Sequence, residues 1–381
     1  MTADLVIPVA DAETLREVVA WDGVRAATFA ASDFPVDVLR FDGSASPPVA
    51  IARARRVETL KAFPASLRTR AEAAFARAAR RPATLRLAHG RRLDLSGGPA
   101  VMGVVNVTPD SFSDGGVHFD PDRAVAAALR MFEDGAAIVD IGGESTRPST
   151  YGEAKALSVD EEASRVVPVV AAIRERSAAP LSVDTRKAEV ARRALEAGAD
   201  LVNDVSALRF DASMARTIAD AGAGAILMHM KGLDPRTMQN DVAYAHPLAE
   251  IAAFLSEAAE RAAAAGIPAE GIAVDPGLGF GKSPEGNLLL LRHLAAFASI
   301  GHAVAVGASR KAFVRRFSGL AEDAPAADRL PGSLAALAAA VAGGARILRV
   351  HDVRESVRFL RMSGAVARAG TSPRPAGAAT R

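Results

Sequence analysis

The feature that most limits how this chain can fold is a set of eight short, nearly continuous apolar runs after residue 100, separated by alanine-rich amphipathic stretches. The runs are Val101–Val107, Ala137–Ile141, Leu181–Val183, Leu201–Val205, Ala225–Met230, Ile272–Val274, Ala303–Val306 and Ile347–Val350. A strand that is apolar on both sides must be buried on both faces, the condition of a parallel sheet covered by helices. Eight such units over about 260 residues have the size of a (β/α)8 TIM barrel, an α/β fold. A doubly wound open sheet is the structural alternative. The number of units, with no second folding signal among them, favours the barrel.

The stretches between the runs carry helix signals. Asp120 stands where an N-cap would, before Pro121 at a first helical position. Val125, Ala128, Leu129 and Phe132 then fall on one face, and Gly135 can end the helix. Thr185 is a cap candidate for a second helix, with Val190, Ala191, Ala194 and Leu195 as its buried stripe and Gly198 as its stop.

Residues 1–83 read as a small N-terminal α/β extension, residues 84–365 as the barrel, and residues 366–381 as a disordered tail, Pro-, Ala- and Gly-rich from Gly370. In the extension, Leu5–Val9 reads as an edge strand because Pro8 cannot donate to a ladder. Asp11–Val19 and the alanine- and arginine-rich stretch Ala50–Arg81 read as helical. From Arg53 to Arg92 there are twelve Lys or Arg and two Glu. Such a run can serve as a phosphate- or RNA-binding face, but its plainer reading is a solvated helix surface. The formal net charge of the whole chain is only +2, so no nucleic-acid partner is expected. The absence of cysteine excludes disulfides, thiolate metal sites and a cysteine nucleophile. Met1–Ala10 lacks the pattern of a signal peptide, and no apolar stretch is long enough to cross a membrane, so a soluble cytoplasmic protein is expected.

A barrel of this kind places its chemistry at the C-terminal ends of its strands, and each run here is followed by polar groups. In chain order these include Asn106, Arg147, Asp184 with Lys187, Asn203 with Asp204, His229, Asp275, Ser309 with Lys311, and Arg349 with His351 and Asp352. A single Asp after a strand is more often a helix cap than a catalyst, and Asp204 and Asp352 fit that plainer role. Capping does not call for Arg147, Lys311, Arg349 or His351. The cations suit a phosphate or carboxylate. Asp184, Asn203 and Asp275 suit a flat heterocycle with N–H donors along one edge. The pattern points to a substrate that is a polar ring at one end and an anion at the other.

Two tempting motifs fail. Gly277-Leu278-Gly279-Phe280-Gly281-Lys282-Ser283 resembles a P-loop, but the position that needs the first glycine holds Pro276. The segment reads as a flexible barrel loop. His229 has no neighbouring ligand and makes a poor zinc site, and Met228 and Met230 read as pocket wall or core.

The ordered set of segments VMGVVNVTPDSFSDGG at 101–116, DIGGESTRP at 140–148, SVDTRK at 182–187, NDVSAL at 203–208, LMHMKG at 227–232, PRTMQ at 235–239, DPGLGFGK at 275–282, GASRK at 307–311 and RVHDV at 349–353 resembles the dihydropteroate synthases. The likeness covers roughly residues 84–362; residues 1–82 match no family. It implies a pterin-binding barrel that condenses 6-hydroxymethyl-7,8-dihydropterin pyrophosphate with p-aminobenzoate, giving 7,8-dihydropteroate and pyrophosphate in folate synthesis. It implies that Asp184, Asn203, Asp275 and Lys311 bind the pterin. Asn106, with a magnesium ion, and Arg147, Arg349 and His351 would bind pyrophosphate. Thr146, Pro148, Phe280 and Ser309 would bind p-aminobenzoate. Asp184, Lys311 and Arg349 are implied in catalysis, Asp184 by stabilising a cation left at the reacting carbon. Loops Thr108–His118 and Glu144–Tyr151 would close over substrate, the chain would form a homodimer, and sulfonamides would inhibit it. A pterin-dependent methyltransferase, or a non-catalytic pterin-binding paralogue, are the alternatives the same barrel allows.

Overall fold

The computed structural model describes residues 5–9, 15, 36–40, 49–53, 56–80, 82–107, 121–144 and 157–369. The eight apolar runs form eight parallel strands: β6 (Ala100–Asn106), β7 (Ile138–Gly142), β8 (Leu181–Asp184), β9 (Leu201–Asp204), β10 (Gly224–Met228), β11 (Ile272–Asp275), β12 (Ala303–Val306) and β13 (Ile347–Val350). They close into a barrel in sequence order, β13 pairing with β6. Burial of both faces explains the near absence of polar residues in their interiors. The register sets Asn106 level with Gly142, Gly142 with Asp184, and Asp184 with Asn203. Three of the predicted polar positions thus share one tier at the C-terminal rim.

The helices between strands follow from the predicted stripes. In the helix Ala188–Glu196, Val190, Ala191, Ala194 and Leu195 are all buried. In Pro121–Glu133 the buried positions are Ala124, Val125 and Ala128, with Leu129 and Phe132 packed partly buried against them. Asp120 lies outside the described residues. Thr185 is not the cap of the helix Ala188–Glu196: its Oγ1 accepts from Lys187 N, while the first helical amide, Ala188 N, donates to Asp211 Oδ2 at 2.9 Å. The cap is supplied across 23 residues, which no local pattern could show.

The opposite, N-terminal end of the barrel is stoppered by an antiparallel hairpin, β4 (Thr84–Arg86) and β5 (Arg92–Asp94). Leu85, Leu87, Leu93 and Leu95 pack with Met102, Ile138, Ile226 and Ile347 in one buried cluster. The extension contains an antiparallel sheet of β1 (Leu5–Val9), β2 (Val36–Arg40) and β3 (Val49–Ala52), in which β1 is an edge as Pro8 requires. The helical reading of residues 50–81 needs correction at its start. Val49–Ala52 is a strand held by pairing to β2, and helices follow at Arg56–Lys61 and Ala65–Ala79. The predicted helix Asp11–Val19 lies outside the described residues apart from Leu15. One face of this sheet, Ile7, Val9, Val36 and Val38, joins the main buried core, and the other packs under Leu60, Ala71, Ala74 and Phe75. Val6 N donates to Ser299 Oγ at 3.2 Å and Arg77 Nε to Ser299 O at 2.9 Å, so the extension is seated on the segment that precedes β12.

The last helix runs Val353–Arg368, so the boundary expected at residue 365 falls inside it. The rest of the predicted tail, from Gly370, lies outside the described residues. No helix among the described residues is long and apolar enough to cross a membrane.

Candidate active site

The rim is organised around Arg349. From β13 its Nε donates to Asp140 Oδ2 and its Nη2 to Asp184 Oδ2, both at 2.7 Å. Asn203 Nδ2 donates to the same Asp140 oxygen at 3.0 Å. Asp140 is fully buried on β7, one inward-facing position below Gly142. A carboxylate can only accept, so it takes the NH2 end of the Asn203 amide and leaves the Asn203 oxygen free to accept from elsewhere. Gly142 makes room above it: a Cβ there would stand 3.3 Å from the Asp184 Cβ.

Two carboxylates share one guanidinium here, Asp140 fully buried and Asp184 partly so. Burial pushes the Asp184 carboxyl well above its ordinary range, with Arg349 opposing and the Asp140 charge adding to the rise. Burial likewise raises Asp275, against the pull of Lys311 and of Gly277 N, which donates to Asp275 Oδ1 at 2.7 Å. The rim therefore offers acceptors on one side and an anchored cation on the other.

Lys311 stands beside this group, its Nζ 4.5 Å from the centre of the Phe280 ring and bonded to Leu278 O. The glycine-rich loop that carries Phe280 reads as flexible in the sequence, and the structure corrects this. Four successive carbonyls are each held by a side chain: Leu278 O by Lys311, Gly279 O by Gln239 at 2.6 Å, Phe280 O by Lys282 at 2.9 Å, and Gly281 O by Tyr244 at 2.9 Å. Gly277 has φ +67°, and a Cβ there would lie 2.0 Å from His229 O. The glycines serve close approach of backbone to backbone.

Ser309 and His351 meet at the neighbouring strand ends, with His351 N and Nδ1 at 3.2 and 3.1 Å from Ser309 Oγ. Asn106 ends β6, half-buried. Thr146, Arg147 and Pro148 lie outside the described residues, as do the first predicted mobile loop and all of the second beyond Glu144. Glu144 itself is held by Lys187 Nζ at 2.9 Å and accepts from Leu157 N at 3.1 Å. Lys187 also meets the buried Glu162 at 2.5 Å.

Asp204 and Asp352 are structural residues, but neither caps a helix with its side chain, which is what the plainer reading expected. Asp204 accepts from Ser206 N and Oγ, both at 2.7 Å, and from Leu208 N at 2.8 Å; Asp352 pairs with Arg310. Met228 and Met230 are core, packed with Val205 and Met238. His229 Nδ1 lies 2.8 Å from Lys282 Nζ, and burial holds the ring down to about 2, neutral at ordinary pH. Sequence reasoning missed Asp140 and Lys282. The signal for Asp140 was available, since an acid inside a fully apolar strand must find a partner.

A sequence model of the family described as pterin binding enzyme matches residues 102–351. A dihydropteroate synthase of Haemophilus influenzae is 43% identical over 282 residues, 74% of this chain and 98% of that protein. One from Escherichia coli is 43% identical over 275 residues, 72% of this chain and 94% of that protein. Among solved structures, a Xanthomonas albilineans dihydropteroate synthase with 4-aminobenzoic acid superposes with a TM-score of 0.68 at 43% identity, covering 76% of this chain and 99% of that one. A Yersinia pestis dihydropteroate synthase in complex with a sulfonamide drug gives a TM-score of 0.68 at 42% identity, covering 74% and 99%.

Proposed function

This chain belongs to the dihydropteroate synthases, within the family of pterin-binding enzymes, and from that premise we propose how its own residues carry the reaction. The substrates are 6-hydroxymethyl-7,8-dihydropterin pyrophosphate and p-aminobenzoate, and the products are 7,8-dihydropteroate and pyrophosphate. The observation that carries this assignment is the Asp140-anchored set: Arg349 bridges Asp140 and Asp184, and Asn203 joins the same Asp140 oxygen, with Asp275 and Lys311 on neighbouring strand ends. Solved relatives hold 4-aminobenzoic acid and 7,8-dihydropteroate, which are the acceptor and product of this reaction.

In our reading Asp184, Asn203 and Asp275 accept from the N–H donors of the pterin edge, and Lys311 donates to the ring. Arg147, Arg349 and His351 hold the pyrophosphate. Thr146, Pro148, Phe280 and Ser309 form the p-aminobenzoate side. Pyrophosphate leaves with the electron pair of the C–O bond, and its negative charge is met by the cations of the rim. The carbon left behind is conjugated to the ring, and the Asp184 carboxylate stabilises the positive charge there. The amine lone pair of p-aminobenzoate forms the C–N bond and one N–H proton is lost to solvent. An aryl amine is unprotonated at neutral pH, so no strong base is required.

Magnesium fits this site as a shared ligand rather than as a resident of a protein cage. Among the described residues no three His, Cys, Asp or Glu side chains converge on a point. Mg²⁺ commonly takes only one or two protein oxygens and completes its shell with phosphate and water, and the Asn106 amide oxygen is a donor of that kind. When bound, the ion would neutralise pyrophosphate charge.

A homodimer belongs to the same proposal. Met362 and Val366, one turn apart on the last helix, are 65% and 60% exposed, and an apolar pair of this kind is what a helix-to-helix contact covers. A cytoplasmic setting follows too, since a pyrophosphate ester does not cross a membrane unaided. The test of the function is pyrophosphate release measured with and without p-aminobenzoate. Release that needs p-aminobenzoate, and that a sulfonamide inhibits competitively against it, is expected. Release indifferent to both would overturn the assignment.

A further inference from the structure

Lys282 is a buried lysine for which the reaction above has no use, and burial pushes its ammonium well below the usual lysine range. It is 4% exposed, and its Nζ has three partners: His229 Nδ1 at 2.8 Å, His229 O at 3.1 Å and Phe280 O at 2.9 Å. Among the described residues no carboxylate forms an ion pair with it, although the Asp275 charge favours its protonated form. Burying a lysine head group is costly, and a well-packed apolar side chain of similar volume generally serves stability as well or better. Stability alone therefore gives a poor account of this lysine, and the identity of its partners gives a better one. His229 belongs to the loop after β10 and Phe280 to the loop after β11, so one amine ties together the two loops that bound this part of the mouth.

The tie has a direction. Burial keeps His229 neutral, and its Nδ1 lies within hydrogen-bond distance of the Lys282 amine. The His229 carbonyl faces the same way, and Gly277 lies against it with no room for a side chain. Lys282 is thus fixed by the rigid side of the junction and reaches across to the Phe280 carbonyl. The Phe280 ring projects from that same residue. It packs against the cluster of Val205, Met228, Met230 and Met238 and lies under the Lys311 ammonium.

Resting on the reading of Phe280 as part of the p-aminobenzoate side, we propose that Lys282 is a positioning residue for that substrate. By holding the Phe280 carbonyl it sets the angle at which the Phe280 ring is presented beside Lys311. It touches neither substrate. Its effect falls mainly on the aryl amine: of the pterin's partners, Asp184 and Asn203 are braced separately through Arg349 and Asp140, and Lys282 acts on Asp275 through its charge without an ion pair among the described residues.

The experiment compares the full-length enzyme with Lys282→Met, which keeps the aliphatic stem and removes the donors, and with Lys282→Gln, which keeps one donor and serves if the Met variant does not fold. Lys282→Met should raise KM for p-aminobenzoate, and the sulfonamide inhibition constant with it, on the order of 10-fold, the scale of one hydrogen bond to a charged group. KM for the pterin substrate should stay within twofold. In a Phe280→Leu background the same substitution should add little, because the two act through one ring. Equal shifts in both substrates, an unchanged p-aminobenzoate constant, or full additivity with Phe280→Leu would each reduce Lys282 to a structural residue. A readout free of turnover completes the test. With fluorinated phenylalanine, the resonance that disappears in Phe280→Leu should move or broaden in Lys282→Met, and an unmoved resonance would also overturn the proposal. Failure of the functional reading would appear instead in the unmodified enzyme, as turnover indifferent to p-aminobenzoate.

Discussion

Arg349 and Asn203 donate to one and the same atom, Asp140 Oδ2, at 2.7 and 3.0 Å, although they come from strands on either side of it. A buried acid thereby fixes a cation assigned to the anion and an amide assigned to the ring. Its other oxygen is buried with no hydrogen-bond partner among the described residues.

The first prediction concerns this link. Asp140→Asn keeps the shape but puts an amide where only an acceptor was, so both anchored groups loosen together. Turnover and pterin affinity should fall by roughly 10- to 100-fold, the range of a charge-assisted hydrogen bond. The exchanged pair Asp140→Asn with Asn203→Asp restores one donor and one carboxylate and should recover part of the loss. Steady-state kinetics on the three variants reads this directly. No recovery in the exchanged pair would mean that the two residues act independently.

Asp184→Asn tests charge at the reacting carbon. The amide can still accept from the pterin, so affinity should change little, while turnover should drop on the order of 10²-fold, as when one electrostatic stabiliser is removed. The plainer reading of Asp184 as a helix cap finds no support in the geometry, because the following helix is capped from Asp211. Near-normal turnover in the Asn variant would remove Asp184 from the mechanism.

The pH dependence has a definite sign. Burial lifts the Asp184 carboxyl to about 7 in the folded protein, against an ordinary value of about 3.9. Between those values the folded state binds the extra proton, so this group's contribution favours folding below about pH 4 and is lost as pH rises to about 7. From about pH 5 to 8 the melting temperature of the parent protein should fall relative to that of Asp184→Asn. Turnover should rise across the same window as the carboxylate forms. Parallel melting curves for the two proteins would contradict the raised value.

Removing residues 1–82 should leave turnover per folded molecule within a few-fold, because every described rim residue follows position 100. Stability should fall, since Ile7, Val9, Val36 and Val38 belong to the main core and Val6 and Arg77 hold Ser299. A lower melting temperature with retained turnover is the expected result. A shortened protein that melts normally yet turns nothing over would place the extension at the active site.

The barrel was legible because its cause is local: a strand buried on both faces is apolar throughout, and eight such runs were visible one by one. Ala50–Ala52 misled, because the alanine-rich stretch it opens favours a helix while pairing with Val36–Val38 makes a strand. The rim acids could be read from their place at strand ends, but what they do to one another could not. Asp140 meets Arg349 across 209 residues, and Gln239 and Tyr244 reach the Phe280 loop from 40 and 37 residues away. Glycine spacing suggested freedom where the fold uses glycine to bring two backbones together.

The seat of the extension on the segment before β12 has a practical reach. That segment lies at the end where the β4–β5 hairpin closes the barrel, and the reacting groups lie at the other. A tether attached to the extension would therefore leave the mouth facing away from whatever holds it. Molecules anchored in this way to a bead or a sensor chip would all present the same open pole to solution. Immobilisation through the barrel's own helices would orient them at random.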